Sequence, residues 1–169
     1  MLARLRLLPL FAAALLLTGC RLHWEEYTSA EGGYSVKFPG KVKTQTQTIP
    51  TTAGTMTFNA AGTSDSRSAF MVMYAKIPKG ARKNFDYMAA IKAMVATWKG
   101  SINYQRGVTV EGVSGMEFEA KVTWPGNGHA ACRIFVYKGK VYMIGAMGEN
   151  IRADSSDVKE FWNSFKLVK

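Results

Sequence analysis

The chain has 169 residues, 47% of them hydrophobic, and carries 22 Lys and Arg against 12 Asp and Glu, a formal net charge of +10. That length fits one domain with a real core and does not comfortably hold two. The cations Lys41, Lys43, Lys79, Arg82, Lys83, Lys138 and Lys140 sit beside turn residues rather than in one block, which reads as a solvated basic surface or as attraction to anionic lipid or polysaccharide.

At the start of the chain, Arg4 and Arg6 precede an apolar run from Leu7 to Leu17, broken by Pro9. This is the layout of a secretory signal, about half the length needed to span a bilayer. The run closes on Leu17-Thr18-Gly19-Cys20, which resembles the bacterial lipobox. The resemblance implies cleavage before Cys20 and diacylglyceryl transfer to its thiol, chemistry that needs a nucleophilic sulfur with small residues ahead of it. Position 21 is Arg rather than the Asp that retains enteric lipoproteins in the inner membrane, so the resemblance favours the outer membrane. Residues 1–19 are then a cleaved signal, 20–33 a lipidated Cys with a short tether, and 34–169 a single α+β domain. The mature chain keeps about +8, and as an exported protein it has no expected nucleic-acid partner. With Cys20 acylated, Cys132 has no thiol to pair with and the fold rests on its core.

Within the tether, Trp24 and Tyr27 are expected to pack on the domain, the alternative being the lipid interface, where aromatic rings with a polar edge are favoured. Tyr34 to Phe38 alternates as a half-buried strand ended by Pro39-Gly40. The polar Thr/Gln run from Lys43 to Ile49 reads as a sheet edge, forming a hairpin with residues 55–60. Ala69 to Ile77 is nearly continuously apolar and reads as a strand covered on both faces. Asn84 is the expected N-cap of a main helix over 85–98, where Phe85, Met88, Ile91, Val95 and Trp98 recur at helical spacing before Gly100. Short strands are expected at 102–104 and 108–110. In Met116 to Val122, Met116, Phe118, Ala120 and Val122 are expected inward and Glu117, Glu119 and Lys121 outward. Residues 130–137 and 141–147 form a second hairpin around Lys138-Gly139-Lys140. A C-terminal helix over 156–164, capped by Ser155 or Ser156 and carrying Val158, Phe161 and Trp162 on one stripe, precedes an extended Phe165-Lys166-Leu167. Segregated strands and helices predict an α+β fold, a mostly antiparallel sheet with two helices packed on it.

Gly33-Tyr34-Ser35-Val36-Lys37-Phe38-Pro39-Gly40, Val136-Tyr137-Lys138-Gly139-Lys140-Val141-Tyr142 and Phe161-Trp162-Asn163-Ser164-Phe165-Lys166-Leu167 together resemble the PsbP-like superfamily, including its DcrB-like envelope lipoproteins. The resemblance implies an antiparallel sheet between helices and an accessory, docking role. It carries over no functional residue, because these motifs mark turns and packing positions.

No catalytic, cofactor or metal pattern stands out. His129 and Cys132, with Asp86 or Asp157, sketch a thiol hydrolase, but strand alternation makes Cys132 an inert buried thiol. Met71, Met73, Met143 and Met147 with Cys132 and His129 sketch a soft copper site, but methionine at strand positions is ordinary core filler. The glycines at 126, 128, 145 and 148 lack the context of a phosphate loop. What remains is an interaction loop, Trp124, Pro125, Asn127 and His129, and the Thr/Gln edge, either of which could receive an envelope protein. The expected function is a non-catalytic accessory module anchored through Cys20 at the periplasmic face of a bacterial membrane. The alternative is a domain holding a small molecule or lipid between the main helix and the sheet.

Overall fold

The computed structural model describes residues 23–51, 54–82, 85–123 and 127–168. The Cys20 anchor, the proposed cap Asn84, and Trp124 and Pro125 of the interaction loop lie outside them. Ten strands and two helices follow one another as β1 (Trp24–Ser29), β2 (Tyr34–Pro39), β3 (Lys43–Thr51), β4 (Gly54–Ser64), β5 (Ser68–Lys76), α1 (Tyr87–Thr97), β6 (Ser101–Val110), β7 (Val113–Val122), β8 (Gly128–Tyr137), β9 (Lys140–Gly148), α2 (Ser156–Ser164) and β10 (Lys166–Leu167). All pairings are antiparallel. A seven-stranded sheet runs β3-β4-β5-β9-β8-β7-β6, and a three-stranded sheet runs β1-β2-β10. The α+β class and both helices agree with the sequence expectation.

Each face of the large sheet has its own filling. One is covered by α1, through Ile91 and Val95, over Phe118, Ala120, Val122, Cys132 and Ile134. All eight methionines of the described residues belong to this layer. The opposite face packs on α2 and the small sheet, and its core is aromatic: Tyr34, Phe38, Phe70, Tyr74, Phe135, Tyr142, Phe161, Trp162 and Phe165. Edge-to-face contacts such as Phe70–Phe161 and the stacked pair Phe135–Tyr142, with centroids 5.3 and 5.1 Å apart, knit it together. The unbranched, adaptable thioether fills the layer under one short helix, whereas the rigid rings define the layer closed by a second sheet.

Four local expectations change. Residues 24–29, read as tether, form β1 in full register with β2, from Trp24 opposite Pro39 to Ser29 opposite Tyr34. Their adjacent glutamates, Glu25 and Glu26, hide the alternation, yet Trp24 packs edge-on against Phe70. The main helix starts at Tyr87, not residue 85, because the Asp86 carboxylate accepts from the Ala89 N–H at 2.9 Å and caps it. The two short strands expected over 102–110 are one strand, interrupted by a register shift between Ile102 and Tyr104. Of the β5 faces, Phe70, Val72 and Tyr74 are buried while Met71 and Met73 are half-buried, so the coverage is unequal.

The Thr/Gln strand β3 is the outer strand of the large sheet, as expected. Thr46 donates to Asn59 Oδ1 at 2.9 Å, and the Thr48 and Thr57 hydroxyls lie 3.1 Å apart, a polar ladder that suits an exposed edge.

Candidate functional site

The two ends of the large sheet differ chemically. At one end lie the start of β1, the end of β7 with Thr123, the start of β8 with Asn127, and the connections 40–43, 64–68 and 148–155. Here Trp24, Asp65, Arg67, Ser68, Glu149, Asn150, Ile151, Ser155, Asp157 and Glu160 line an open groove of ≈ 920 Å³. Its lining is mostly polar and charged, unlike the apolar cavity expected for a lipid site, and it lies on the α2 side of the sheet rather than under α1. Asp65 organises its rim by accepting from the Arg67 and Ser68 N–H groups, both at 2.8 Å, which holds its carboxyl below the usual range.

Asn127 and His129 of the proposed interaction loop stand at this same end, Asn127 exposed and His129 half-buried. The His129 Nδ1 is buried without a hydrogen-bond partner among the described residues. Burial, followed by the nearby Arg152 cation, lowers the His129 pKa.

The sketched hydrolase does not assemble. His129 and Cys132 are separated by three positions on β8, so they emerge on opposite faces of the sheet. Cys132 lies in the α1 layer, where burial pushes its thiol up to about 12, the reverse of what a nucleophile needs. Asp86 is committed to capping α1. Register gathers Met71, Met143 and Met147 around Gly145 and Cys132 on that face, and leaves His129 on the other. Met56, Met88, Met94 and Met116 fill the rest of the same layer, so methionine is its general packing residue. No group of three or more His, Cys, Asp or Glu among the described residues could hold a metal ion.

Sequence reasoning missed a charged row on the aromatic face. Cross-strand register places Ile144, Arg133, Glu117 and Arg106 side by side across β9, β8, β7 and β6. Glu117, expected outward, is fully buried. Arg106 donates from Nε to Glu117 Oε1 at 2.9 Å and its Nη2 stands 2.8 Å from the same oxygen. Arg133 engages Oε2 through Nε and Nη2, both at 2.9 Å. The Arg133 guanidinium lies 4.1 Å from the centre of the Trp162 ring on α2, and the Trp162 indole N–H donates to Ile144 O at 3.3 Å. Beside it, Glu119 accepts from the Ala153 N–H at 2.6 Å. With every oxygen of Glu117 taken, the row acts as a polar clasp between sheet and α2 rather than an acid–base pair. Alternation predicts that Glu117 and Arg133 share a face; only the covering layer makes that face interior.

The opposite end of the sheet collects cations. Lys76 is the direct cross-strand partner of Lys140, and Tyr137 pairs with Lys140 across the Lys138-Gly139 turn. The Ile77 N–H donates to Gly139 O at 2.9 Å, which seats the Lys79–Ala81 turn on that hairpin. Arg82 donates from Nε to Ile77 O at 3.1 Å.

This arrangement of sheets and helices is the PsbP-like α+β fold. The chain is similar to the solution structure of the cyanobacterial PsbP protein CyanoP from Synechocystis sp. PCC 6803, with a TM-score of 0.60 at 12% identity, covering 89% of this chain and 95% of that one. At that identity the likeness speaks for the fold alone. A crystal structure of PA94, a Pseudomonas aeruginosa protein of unknown function, aligns over 81% of this chain and 87% of its own with 8% identity and a TM-score of 0.34, too low to carry an argument. No family model matches the chain, and no curated protein matches its sequence.

Proposed function

We propose that the chain is a lipid-anchored, non-catalytic accessory module of the bacterial cell envelope, in the manner of the DcrB-like lipoproteins, facing the periplasm and held in the outer membrane. The observation that carries this reading is Leu17-Thr18-Gly19-Cys20 closing an apolar run behind Arg4 and Arg6. No helix of the described residues is long and apolar enough to cross a membrane. Two facts agree with the reading. The nucleophile candidate Cys132 and its base candidate His129 face apart. β1 begins at Trp24, so at most four residues, about 14 Å fully extended, separate the acylated sulfur from the folded domain.

Such a tether keeps the Trp24 end of β1 at the bilayer, with Trp24, the 64–68 and 148–155 loops, Asn127 and His129 closest to it. An envelope protein in the same membrane would meet these loops first. Replacing Cys20 by Ser is expected to move the protein from the membrane to the soluble fraction after cell lysis and ultracentrifugation. Two acyl chains hold a protein far more firmly than protein–lipid contacts at a surface, so membrane partitioning unchanged by Cys20→Ser would refute the anchor.

A further inference from the structure

Five cations that are scattered in sequence form one cluster in space. Lys76, Lys79, Arg82, Lys138 and Lys140 come together where β5 ends and the β8–β9 hairpin turns. None of the five makes an ion pair among the described residues, although Glu117 and Glu111 are both paired with cations elsewhere. Lys140 instead donates to the main-chain carbonyls of Glu31 and Gly32 and lies 5.4 Å from the centre of the Tyr74 ring, while Lys138 lies 5.3 Å from that of Tyr137. Direct cross-strand pairing of two lysines is unfavourable for a sheet. The fold tolerates this at Lys76 and Lys140 without a carboxylate to relieve it.

The position of the cluster restricts its partner. β1 runs from Trp24 at one end of the sheet to Ser29 at the other, and the cluster stands at the Ser29 end, beside Glu31 and Gly32. A ten-residue strand such as β8 spans about 33 Å, more than twice the reach of the Cys20–Trp24 tether. An anchored domain therefore turns this end away from its own bilayer. Composition restricts it further. Protein–protein interfaces favour Arg and aromatic anchors and are depleted in Lys, whereas four of these five cations are lysines, compact hydrated charges without a fixed fork geometry. Such a set suits repeated anionic groups on a flexible chain.

We propose that the Lys76–Lys79–Arg82–Lys138–Lys140 end binds an anionic glycan polymer on the side of the domain facing away from the anchoring membrane. The orientation rests on the anchor reading; the binding does not. The test uses the full chain carrying Cys20→Ser, purified in neutral detergent, with polygalacturonate as the probe at about 10 mM salt, where the Debye length is about 30 Å. Binding is expected, and changing Lys76, Lys79 and Lys138 together to Gln is expected to weaken it about a hundredfold. The comparison of variants is repeated at about 0.1 M salt, where the Debye length is about 10 Å: the equal charge change at Lys41, Lys43 and Lys121, at the other end of the sheet and so roughly three Debye lengths away, is expected to weaken binding no more than about threefold. Equal losses in the two triple variants, or no binding at low salt, would overturn the proposal. Binding to vesicles of phosphatidylcholine and phosphatidylglycerol through the same three lysines, without polygalacturonate binding, would reassign the surface to lipid. Cell fractionation of Cys20→Ser reports on the anchor separately, so the two failures are distinguishable.

Discussion

Replacing Glu117 by Ala is expected to lower the unfolding free energy by about 3 kcal/mol, because it leaves the half-buried Arg133 guanidinium, stacked on Trp162, with no counter-charge. The penalty should be graded along the row. The Arg106 side chain is 59% exposed and the Arg133 side chain 19%. Arg106→Ala removes one arm of the clasp from a site where water substitutes for it, and should cost about 1 kcal/mol or less. Arg133→Ala should fall between the two. Urea denaturation followed by tryptophan fluorescence reads all three. A Glu117→Ala midpoint close to that of the wild type would show that the row is not a determinant of how α2 is held.

Trp162→Ala is expected to cost a similar amount, about 3–5 kcal/mol for the lost aromatic volume. The same residue also provides the indole donor to Ile144 O and the ring under Arg133. Trp162→Phe separates these roles. It keeps a ring for the cation but removes the N–H, a second donor to a carbonyl that the interior strand β9 already pairs within the sheet, so about 1 kcal/mol of loss is expected from the hydrogen bond. A double-mutant cycle between Arg133 and Trp162 should return a coupling of about 0.5–2 kcal/mol. Trp162→Phe matching Trp162→Ala, together with zero coupling, would contradict the stacked arrangement.

These two residues also show where reading the chain stops short of the fold. Periods of two and of 3.6 sufficed for the helices, for the hairpin at Lys138-Gly139 and for the polar edge β3, since each is set by local alternation and turn chemistry. Alternation assigns Glu117 outward because it divides a strand into two faces but does not say what covers the second one. That face is interior because α2 and the β1-β2-β10 sheet, built from the two ends of the chain, close over it. β1 is illegible in the sequence for a related reason, as Trp24 and Tyr27 are separated by two glutamates and their partners Phe70, Tyr34 and Phe38 lie on other strands. The basic end was invisible because Lys76 and Lys140 are neighbours only through the register of β5 with β9. The irregularity near Asn103 hid β6 by shifting its alternation mid-strand.

In the proposed anchored state, with Cys20 acylated, the fold would present its groove and loops to the membrane and its lysine cluster to the aqueous space beyond. Intact-mass spectrometry of the full chain expressed in a bacterium and purified in detergent tests that most directly. The predicted result is a chain that starts at Cys20 and carries the added mass of a diacylglyceryl group on its thiol. A chain that retains residues 1–19, or one that starts near residue 20 with an unmodified cysteine, would contradict it.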